Sequence, residues 1–409
     1  MSELYELPEG WEWKKLDEIS KLVGGGTPRR NMNEYWDNGN IIWLSPTDLG
    51  KIGEIINISD SKDKITQLGL DKSSAKLLPI GTVLYSSRAT IGKIAINTIE
   101  VSTNQGFTNF ICTEHLNNQY LAYILSRFTN EITSLSNSTT FKEVSKSSLK
   151  EFKIPLPPLQ EQKRIVSKLD TLFEKIDKSI ALHQKNMDEA DVFMGSVLND
   201  IFGELEEKYE KDYLSNYCQI TSSKRVYKAD YVANGIIFYR IKDIVLMSKN
   251  LPLKDSQYIK EQTFNEFDQK FGSPKSGDIL LTAVGATLGY AYLVKDSDGK
   301  FYFKDGNLLW LKNIINLDRK YLKYIFTSPL FHKYLNEISK GAAQPAITIV
   351  KLKEFNIPIP PLKIQQKIVI YLDKISKKIE KIKSVQKEKM ESLIALKASI
   401  LDQAFRGEL

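Results

Sequence analysis

The sequence predicts a mixed α/β (α+β) protein with two duplicated domains, each followed by a long helix, the two helices pairing as an antiparallel coiled coil. The main observation is an internal repeat. FKIPLPPLQEQKRIVSKLD, at residues 152–170, returns about half a chain later as FNIPIPPLKIQQKIVIYLD, at residues 355–373. The similarity continues for about 50 residues in one register, which indicates one long element used twice.

The repeat divides the 409 residues into four predicted segments. A first domain occupies residues 1–155 and a first spacer helix residues 156–205. A second domain occupies residues 206–358 and a second spacer helix residues 359–409. A chain of this length is sufficient for two or three domains that each bury a core.

Each repeated stretch opens a predicted helix. The paired prolines, Pro157 and Pro158 in the first copy, suit a helix start, where a missing backbone N–H costs nothing. Apolar residues then recur every three or four positions and so lie on one stripe. About 40 residues at ~1.5 Å each predict a rod of roughly 60 Å. The stripes are Ile165, Leu169, Leu172, Ile176, Ile180, Met187, Ala190, Met194, Val197 and Ile201 in the first helix, and Ile368, Leu372, Ile375, Ile379, Ile382, Met390, Leu393, Leu396 and Ile400 in the second.

A long helix with a single apolar stripe needs a partner along its length. The helices suit each other in charge, since residues 156–205 contain six basic and nine acidic side chains, whereas residues 358–409 contain eleven and six. We therefore predict that they pack together, antiparallel if the two halves are related by an approximate two-fold axis. The alternative, in which each helix lies on its own domain, stays open at this point.

The two predicted domains share an apolar skeleton. Short β-branched and aromatic runs, such as GTVLYSS at 81–87 and GDILLTA at 277–283, alternate with turn signals and with helical tracts around Tyr120 and Tyr321. The polar positions differ between the copies. This pattern indicates one scaffold that presents two specificities, although neutral drift of exposed positions after duplication would also produce it.

The sequence offers little for catalysis. Its three histidines, His115, His183 and His332, lie in different elements, which disfavours a histidine-based metal site or a nucleophile triad. SRATIGKI and GGGTPRR do not match phosphate-binding loops. In LPPL, Leu156 and Leu159 replace the polar and aromatic residues of an amino-methyltransferase motif. We therefore expect a non-catalytic chain with no metal and no cofactor of its own.

Targeting features are also missing from the sequence. The first 13 residues contain four acids and no basic residue, unlike a secretory or transit peptide. No uncharged apolar run approaches the roughly 18 residues of a membrane span. Two distant cysteines, Cys112 and Cys218, suit a reducing compartment. These features predict a cytoplasmic protein without membrane association.

Side chains suited to phosphates and base edges cluster at aligned turn segments of both domains. Solvated loops have such clusters too, so it is their recurrence that favours nucleic-acid binding. The net charge of +7 permits this function without demonstrating it. The candidates are Arg29, Arg30, Ser86, Ser87, Arg88, Thr90, Asn104, Gln105 and Lys142 in the first domain, and Lys224, Arg225, Arg240, Lys242, Thr282, Thr287, Lys304, Asn307 and Gln344 in the second.

Several motifs together resemble a known family. They are GGGTPRR with EYW at residues 24–36, IPLPPLQEQKRI and IPIPPLKIQQKI, the GAAQPAI stretch, and the closing AFRGEL. Over essentially its whole length the chain resembles the specificity subunits of type I restriction–modification systems. The doubled proline–helix motif is the most specific of these features, whereas GGGTP alone would be a weak one.

The resemblance implies two target recognition domains that read a bipartite, asymmetric sequence in double-stranded DNA, one domain per half-site. It implies two modification subunits as partners, which contain S-adenosylmethionine and methylate adenine N6. Restriction subunits with ATP-dependent translocase and nuclease activity are further partners of this family. The coiled coil would act as a ruler for the unread spacer between the half-sites.

Two departures limit transfer of residue roles between the halves. The second domain has TSSKR at residues 221–225 in place of GGGTP, and LQEQKRI becomes LKIQQKI, which loses the acid at Glu161. Two rival functions stay open. One is an interaction scaffold of two protein-binding modules spaced by a coiled coil, and the other is a silent or donor copy of a specificity subunit.

Overall fold

The computed structural model describes residues 5–136, 142–304, 306–340 and 345–409. The chain forms two compact units. Unit 1 is Met1–His183 with Glu388–Leu409, and unit 2 is Gln184–Lys387. Each long helix therefore contributes to both units, so the units do not coincide with the four predicted segments. No helix in the described part of the chain is long and apolar enough to cross a membrane.

The first domain combines strands with short helices and leads into the first long helix. In chain order the elements are β1 (Glu12–Lys15), α1 (Leu16–Ile19), β2 (Ser20–Gly24), β3 (Ile41–Leu44), β4 (Ile55–Ile58), β5 (Asp63–Ile65), α2 (Gln67–Asp71), β6 (Val83–Ser86), β7 (Ile94–Asn97), β8 (Val101–Thr103), β9 (Phe107–Cys112), α3 (Asn118–Arg127), α4 (Thr129–Ser134), α5 (Lys146–Glu151), β10 (Lys153–Leu156) and α6 (Leu159–Lys208).

Two sheets form the body of this domain. The larger has the strand order β2-β9-β6-β7-β4 and the smaller the order β5-β3-β8. Most neighbours are antiparallel, but β4 runs parallel to β7 and β3 runs parallel to β8. Helix α3 starts where the Asn117 side chain accepts a hydrogen bond from the Tyr120 amide. Its apolar face buries Tyr120, Leu121 and Leu125 in the same core as the larger sheet, which gives the predicted mixed α/β class.

The second domain repeats this plan. Its elements are β11 (Lys211–Tyr213), β12 (Gln219–Ser222), β13 (Tyr231–Val232), β14 (Ile236–Tyr239), α7 (Ile241–Ser248), β15 (Tyr258–Ile259), α8 (Glu261–Phe271), β16 (Ile279–Thr282), β17 (Ala291–Leu293), β18 (Phe301–Phe303), β19 (Leu308–Lys312), α9 (Arg319–Thr327), α10 (Pro329–Ile338), α11 (Ile349–Lys353), β20 (Asn356–Pro358) and α12 (Leu362–Arg406).

The sheets of the second domain follow the topology of the first. Each sheet has four strands. One, in the order β12-β19-β16-β17, corresponds to the larger sheet of the first domain, and the other has the order β13-β15-β14-β18. β14 runs parallel to β18, as β3 does to β8. In both domains a short antiparallel pair closes the fold before the long helix, β1 with β10 and β11 with β20. Helix α9 is capped by Asp318, whose carboxylate accepts from the Lys320 and Tyr321 amides. The duplication inferred from the sequence is therefore visible in most strands, although β4 and β13 have no counterpart in the matching sheet of the other domain.

Helices α6 and α12 contain 50 and 45 residues. In unit 1, Lys397 pairs with Asp177 at 2.8 Å, and the Arg164 guanidinium donates to the Leu409 carbonyl at 2.7 Å. Arg164 precedes Asp177 on α6, whereas its partner Leu409 follows Lys397. The two segments therefore run antiparallel. In unit 2, Lys383 pairs with Asp191 at 2.5 Å. These contacts are consistent with the predicted pairing, and one continuous coiled coil stays a prediction.

Two carboxylates of α12 tie this helix to neighbouring domain residues. Asp402 of α12 accepts hydrogen bonds from Arg127 and Arg406, and Asp373 of α12 accepts from Lys320 and Tyr324. Burial alone would raise the pKa of each carboxyl group. The hydrogen bonds and neighbouring cations outweigh burial, so the pKa of both groups lies below the usual 3.8.

These lowered pKa values predict a loss of stability in acid. A carboxyl group whose pKa is lower in the folded state stabilises the fold fully above the unfolded value near 4. We expect this stabilisation to disappear as the pH falls from about 4 through the folded pKa values. Urea unfolding between pH 7 and pH 3 would measure it. The D402N/D373N variant should lose less stability over that range than the natural chain, whereas D37N, at an exposed position, should behave as the natural chain does. Equal pH profiles for the natural chain and the double variant would contradict this account.

Candidate nucleic-acid interface

Backbone hydrogen bonds bring the candidate loops of the first domain together. The Gly26 amide donates to the Thr103 carbonyl at 2.8 Å, and the Ser87 amide donates to the Gly106 carbonyl at 2.9 Å. The Ala89 amide donates to the carbonyl of Lys142 at 3.1 Å. The loops at residues 25–30, 86–92 and 104–106 and the segment 142–144 therefore form one continuous surface, which we call loop edge 1.

The glycine-rich loop of edge 1 packs against its neighbours at backbone distance. A methyl group on Gly25 would overlap the backbone oxygens of Thr103 and Asn104, and one on Gly26 would overlap the backbone at Ala75. The indole of Trp43 donates to the Gly26 carbonyl at 2.9 Å from inside the domain. The glycines thus allow the loop to lie flat on the end of the sheet.

Arg29 and Arg30 follow this loop and differ in their surroundings. The Arg30 guanidinium lies 3.8 Å from the centroid of the Trp36 ring and bonds Asp63 at 2.7 Å. The Trp36 indole donates to the Arg29 carbonyl at 3.1 Å, while the Arg29 side chain is exposed. Arg30 is therefore held in place by stacking and by an ion pair, whereas Arg29 extends into solvent.

The other cations of edge 1 also fall into two groups. Arg88 lies 3.6 Å from the Glu143 carboxylate, with both side chains half-exposed. Lys142 is exposed, and among the described residues it has no salt-bridge partner, as is the case for Arg29. Edge 1 thus offers uncompensated positive charge at both ends of its loop series.

Polar side chains line the surface between those cations. The Thr27 hydroxyl donates to the Gln105 side-chain oxygen, and the Asn104 side chain accepts from the Gly106 amide at 2.8 Å. Gln105 and Thr90 are exposed. Gln105 retains its amide N–H groups for a further partner, because the bond from Thr27 uses only its oxygen.

The second domain assembles the corresponding loops by the same type of backbone bond. The Ala283 amide donates to the Asn307 carbonyl and the Gly285 amide to the Pro345 carbonyl, each at 2.9 Å. The Lys304 amide donates to the Tyr239 carbonyl at 3.0 Å. We call the surface formed by residues 222–228, 282–289, 304, 306–307 and 345–347 loop edge 2.

The first loop of edge 2 is built differently from its counterpart in edge 1. The Ser222 hydroxyl donates to the Leu308 carbonyl at 3.1 Å and accepts from the Gly306 amide at 3.2 Å. In edge 2 the Ser222 side chain holds the loop against its neighbours, whereas in edge 1 the backbone of the glycine loop is bonded directly to the backbone of Thr103. This agrees with the expectation, from the missing GGGTP sequence, that the two loops do not share one mechanism.

The cations of edge 2 are unequally engaged. Lys224 lies over the Phe271 ring at 4.7 Å, while Arg225 and Lys304 are exposed and have no salt-bridge partner among the described residues. Arg240 is the N-cap residue of α7, and its guanidinium pairs with Asp243 at 2.8 Å and contacts Asp255 at 3.3 Å. The Lys242 ammonium lies 2.9 Å from the same Asp255.

The acidic partners of Arg240 and Lys242 change what these two residues offer to DNA. Hydrogen bonding to Lys242 and the charge of Arg240 lower the pKa of Asp255, which stays ionised and compensates both cations. Arg240 is also largely enclosed by its contacts. Binding of a phosphate at this point would compete with an existing network, so Arg225 and Lys304 are the better phosphate ligands of edge 2.

Three of the predicted base-reading residues are buried, so their contact with DNA stays a prediction. The Ser86 hydroxyl donates to the Thr90 carbonyl at 2.6 Å and accepts from the Lys93 amide at 2.8 Å. The Thr282 hydroxyl does the same in edge 2, donating to the Thr287 carbonyl and accepting from the Tyr290 amide. Ser87 is buried as well and contacts Thr108. The Ser86 and Thr282 hydroxyls fix the loops from inside, because each both donates and accepts within its domain.

The other predicted positions remain candidates. Thr287 and Asn307 are half-buried within edge 2, and Asn104 is half-buried within edge 1. Gln344 lies outside the described residues. Four residues that shape or support the loops are not among the predicted candidates, namely Thr27, Trp36, Trp43 and Ser222. The only signal for them was their closeness to GGGTPRR and TSSKR in the chain.

Duplicated domains that present two different basic loop edges define a class of protein that recognises two different sites on nucleic acid. The sequence profile of the type I restriction modification DNA specificity domain matches residues 8–189 and 206–391. The chain therefore belongs to this family and contains two copies of its domain. Its function is that of a DNA-recognition subunit, a non-catalytic component of a type I restriction–modification system that works with other subunits.

A curated relative agrees with this assignment, and two solved structures share the fold. The type I restriction enzyme MjaIX specificity subunit of Methanocaldococcus jannaschii is 29% identical over 427 aligned positions, which cover 100% of this chain and 95% of the relative. A chain solved in work on complex assembly and conformational transition of the type I R-M system superposes with a TM-score of 0.74 at 24% identity, covering 99% and 100%. The HsdS subunit from Thermoanaerobacter tengcongensis gives 0.52 at 24% identity, covering 99% of each chain. These two likenesses concern the fold.

Proposed function

We propose that this subunit reads a bipartite, asymmetric sequence in double-stranded DNA, with loop edge 1 on one half-site and loop edge 2 on the other. The carrying observation is that the two domains share a skeleton and differ at its surface. Ser86 and Thr282 close equivalent loops through equivalent hydrogen bonds. The exposed groups on those loops are unlike, with Arg88 and Gln105 in edge 1 and Arg225 and Lys304 in edge 2.

Different surface groups on one skeleton imply different base preferences. Arginine pairs best with guanine edges, glutamine with adenine, and hydroxyl groups with either. Unpaired cations would hold phosphates and set the position of each domain without reading sequence. An asymmetric two-part target follows directly from two such unlike surfaces in one chain.

The proposal includes partner subunits. Two modification subunits would supply S-adenosylmethionine and methylate adenine N6 in the target. Restriction subunits with ATP would add cleavage. The present chain would contribute recognition only and would contain no cofactor, and its location would be the cytoplasm, where the DNA target is accessible.

The experiment that tests this proposal maps adenine-N6 methylation across the genome with and without this gene. We expect one two-part motif to lose methylation completely on deletion and to regain it when the gene is restored. The two halves of the motif would give the preferences of the two domains, and the gap would give the spacer. Unchanged methylation would contradict the proposal.

The same experiment addresses the two rivals. An interaction scaffold would leave every motif methylated on deletion, and so would a silent copy at its own locus. Moving the gene behind an active promoter beside the modification gene separates them, because a silent copy would then create a new methylated motif. Affinity for duplex DNA that does not change with salt would favour the scaffold.

A further inference from the structure

A buried glutamine lies at the junction between each domain and its long helix. The Gln162 side-chain oxygen accepts from the Asn117 amide at 2.8 Å, and its amide group donates to the His115 and Pro157 carbonyls, each at 2.9 Å. It thereby joins the first turn of α6 to the loop that enters α3. The side chain is completely buried.

Gln365 occupies the equivalent place in the second half. Its oxygen accepts from the Asp318 amide at 2.8 Å, and its amide group donates to the Pro360 carbonyl at 2.8 Å. Asp318 caps α9 as Asn117 caps α3. This side chain is also completely buried, so one arrangement is present at both junctions.

Tyrosines add a second set of ties. The Tyr120 hydroxyl donates to the Pro155 carbonyl at 2.9 Å, and the Tyr321 hydroxyl donates to the Pro358 carbonyl at 3.0 Å. Both bonds are buried. They join α3 to β10 and α9 to β20, the strands that precede the paired prolines. The prolines themselves restrict the backbone at this point.

A third tie lies further along each long helix. The Tyr123 hydroxyl donates to Asp170 at 2.5 Å, and the Tyr324 hydroxyl donates to Asp373 at 2.7 Å. Each domain is thus attached to its helix at the proline turn and again about two turns later. Attachment at two separated points opposes rocking of the domain about the helix start.

Buried polar contacts of this type favour one geometry strongly. An amide group without its partners inside a protein loses the full benefit of solvation, so a tilted domain would leave donors and acceptors unpaired. An apolar contact would tolerate a small slide, because it is not directional. The junctions therefore behave as rigid joints rather than as flexible linkers.

We propose that Gln162 and Gln365 are positioning residues that restrict the complex to a single number of unread base pairs between the two half-sites. This inference rests on the proposed bipartite recognition. Neighbouring base pairs differ by about 3.4 Å along the duplex and by about one tenth of a turn around it. A domain that is fixed on its helix accepts one spacing, and a domain that can rock accepts adjacent spacings.

The test uses the complete complex with its modification subunits and a set of duplexes in which the natural half-sites are one or two base pairs closer or further apart. The variants are Gln162→Leu and Gln365→Leu, which keep the volume and remove the hydrogen bonds. We expect the preference for the natural spacing over its neighbours to fall about tenfold, as the loss of roughly one buried hydrogen-bond set would produce. Methylation rate at each spacing is the readout.

Exposed glutamines next to each site provide matched controls. Gln160→Leu and Gln366→Leu change the same residue type on the same helices at solvent-exposed positions, and they should leave the spacing profile as it is. An equal loss of rate at every spacing in Gln162→Leu or Gln365→Leu would assign these residues a structural role only. That result, or an unchanged profile, would overturn the inference.

Two milder variants test the same inference if the glutamine variants do not fold. Tyr123→Phe and Tyr324→Phe remove one hydroxyl each and keep the ring. We expect them to lower the preference for the natural spacing over its neighbours about threefold. Tyr371→Phe, at an exposed tyrosine of α12, is the control. Failure of the proposed function looks different, since the natural complex would then methylate none of the duplexes at any spacing.

Discussion

Substitution of Gly25 by alanine is expected to reduce methylation of the two-part target about a hundredfold. The added methyl group would overlap the backbone oxygens of Thr103 and Asn104, which are fixed by β8 and its pairing with β3. The glycine loop would have to move off the sheet, breaking the bond from the Gly26 amide to Thr103. Overpacking against backbone costs about 3 kcal/mol, and each 1.4 kcal/mol is a factor of ten.

The neighbouring glycine offers a matched control. A methyl group on Gly24 would meet nothing within 4 Å, so Gly24→Ala should retain normal methylation. Rates measured on the natural target would compare the two variants directly. Binding to a duplex that contains only the second half-site should be unaffected in both, because edge 2 lies in the other domain. Normal methylation by Gly25→Ala would show that the loop does not contribute to recognition.

The sequence predicted the helices better than any other feature. The first was expected at residues 156–205 and occurs as Leu159–Lys208, and the second was expected at 359–409 and occurs as Leu362–Arg406. A stripe with a period of three and four persists over so many turns that local exceptions cannot hide it. The paired prolines precede both starts by one or two residues, as their missing N–H requires.

The loops were predictable in position but not in exposure. Ser86 and Thr90 are both small hydroxyl residues in one turn, yet Ser86 is buried and Thr90 is exposed. Residue type does not separate these cases, because a hydroxyl can bond a backbone group inside a turn as readily as a base outside it. Which of them is buried depends on the strand that the loop leaves, and Ser86 is the last residue of β6.

Ion pairing was the other feature beyond reach of the sequence. Asp63 pairs with Arg30 from 33 positions away, and Asp255 pairs with Arg240 from 15 positions away. Sheet topology creates the first of these pairs, since β5 joins β3 in the smaller sheet and places Asp63 beside Trp43. Basic residues that look equivalent in the sequence therefore differ in whether an acidic neighbour already compensates their charge.

This difference predicts two classes of basic residue. DNA affinity falls as salt rises, and each phosphate contact contributes about 0.9 to the steepness of log affinity against log salt concentration. A variant with alanine at Arg29, Lys142, Arg225 and Lys304 should therefore have a slope that is shallower by about four. Folding stability should hardly change, since none of the four has a salt-bridge partner among the described residues. The slope is obtained by measuring the DNA affinity of the assembled complex at salt concentrations from about 50 to about 300 mM.

Arg240→Ala is expected to act in the opposite way, lowering stability more than the salt slope. Its removal leaves the buried Asp243 carboxylate without its guanidinium partner, and an uncompensated buried charge is costly. Lys178→Ala, on the exposed surface of α6 beside Glu174, should change neither quantity. If the variant with four alanine substitutions kept the natural salt slope while Arg240→Ala made it shallower, the cations that have acidic partners in the fold would be the phosphate ligands. The acids beside them would then have to release them on binding, because a guanidinium cannot make the same bidentate contact with a carboxylate and a phosphate at once.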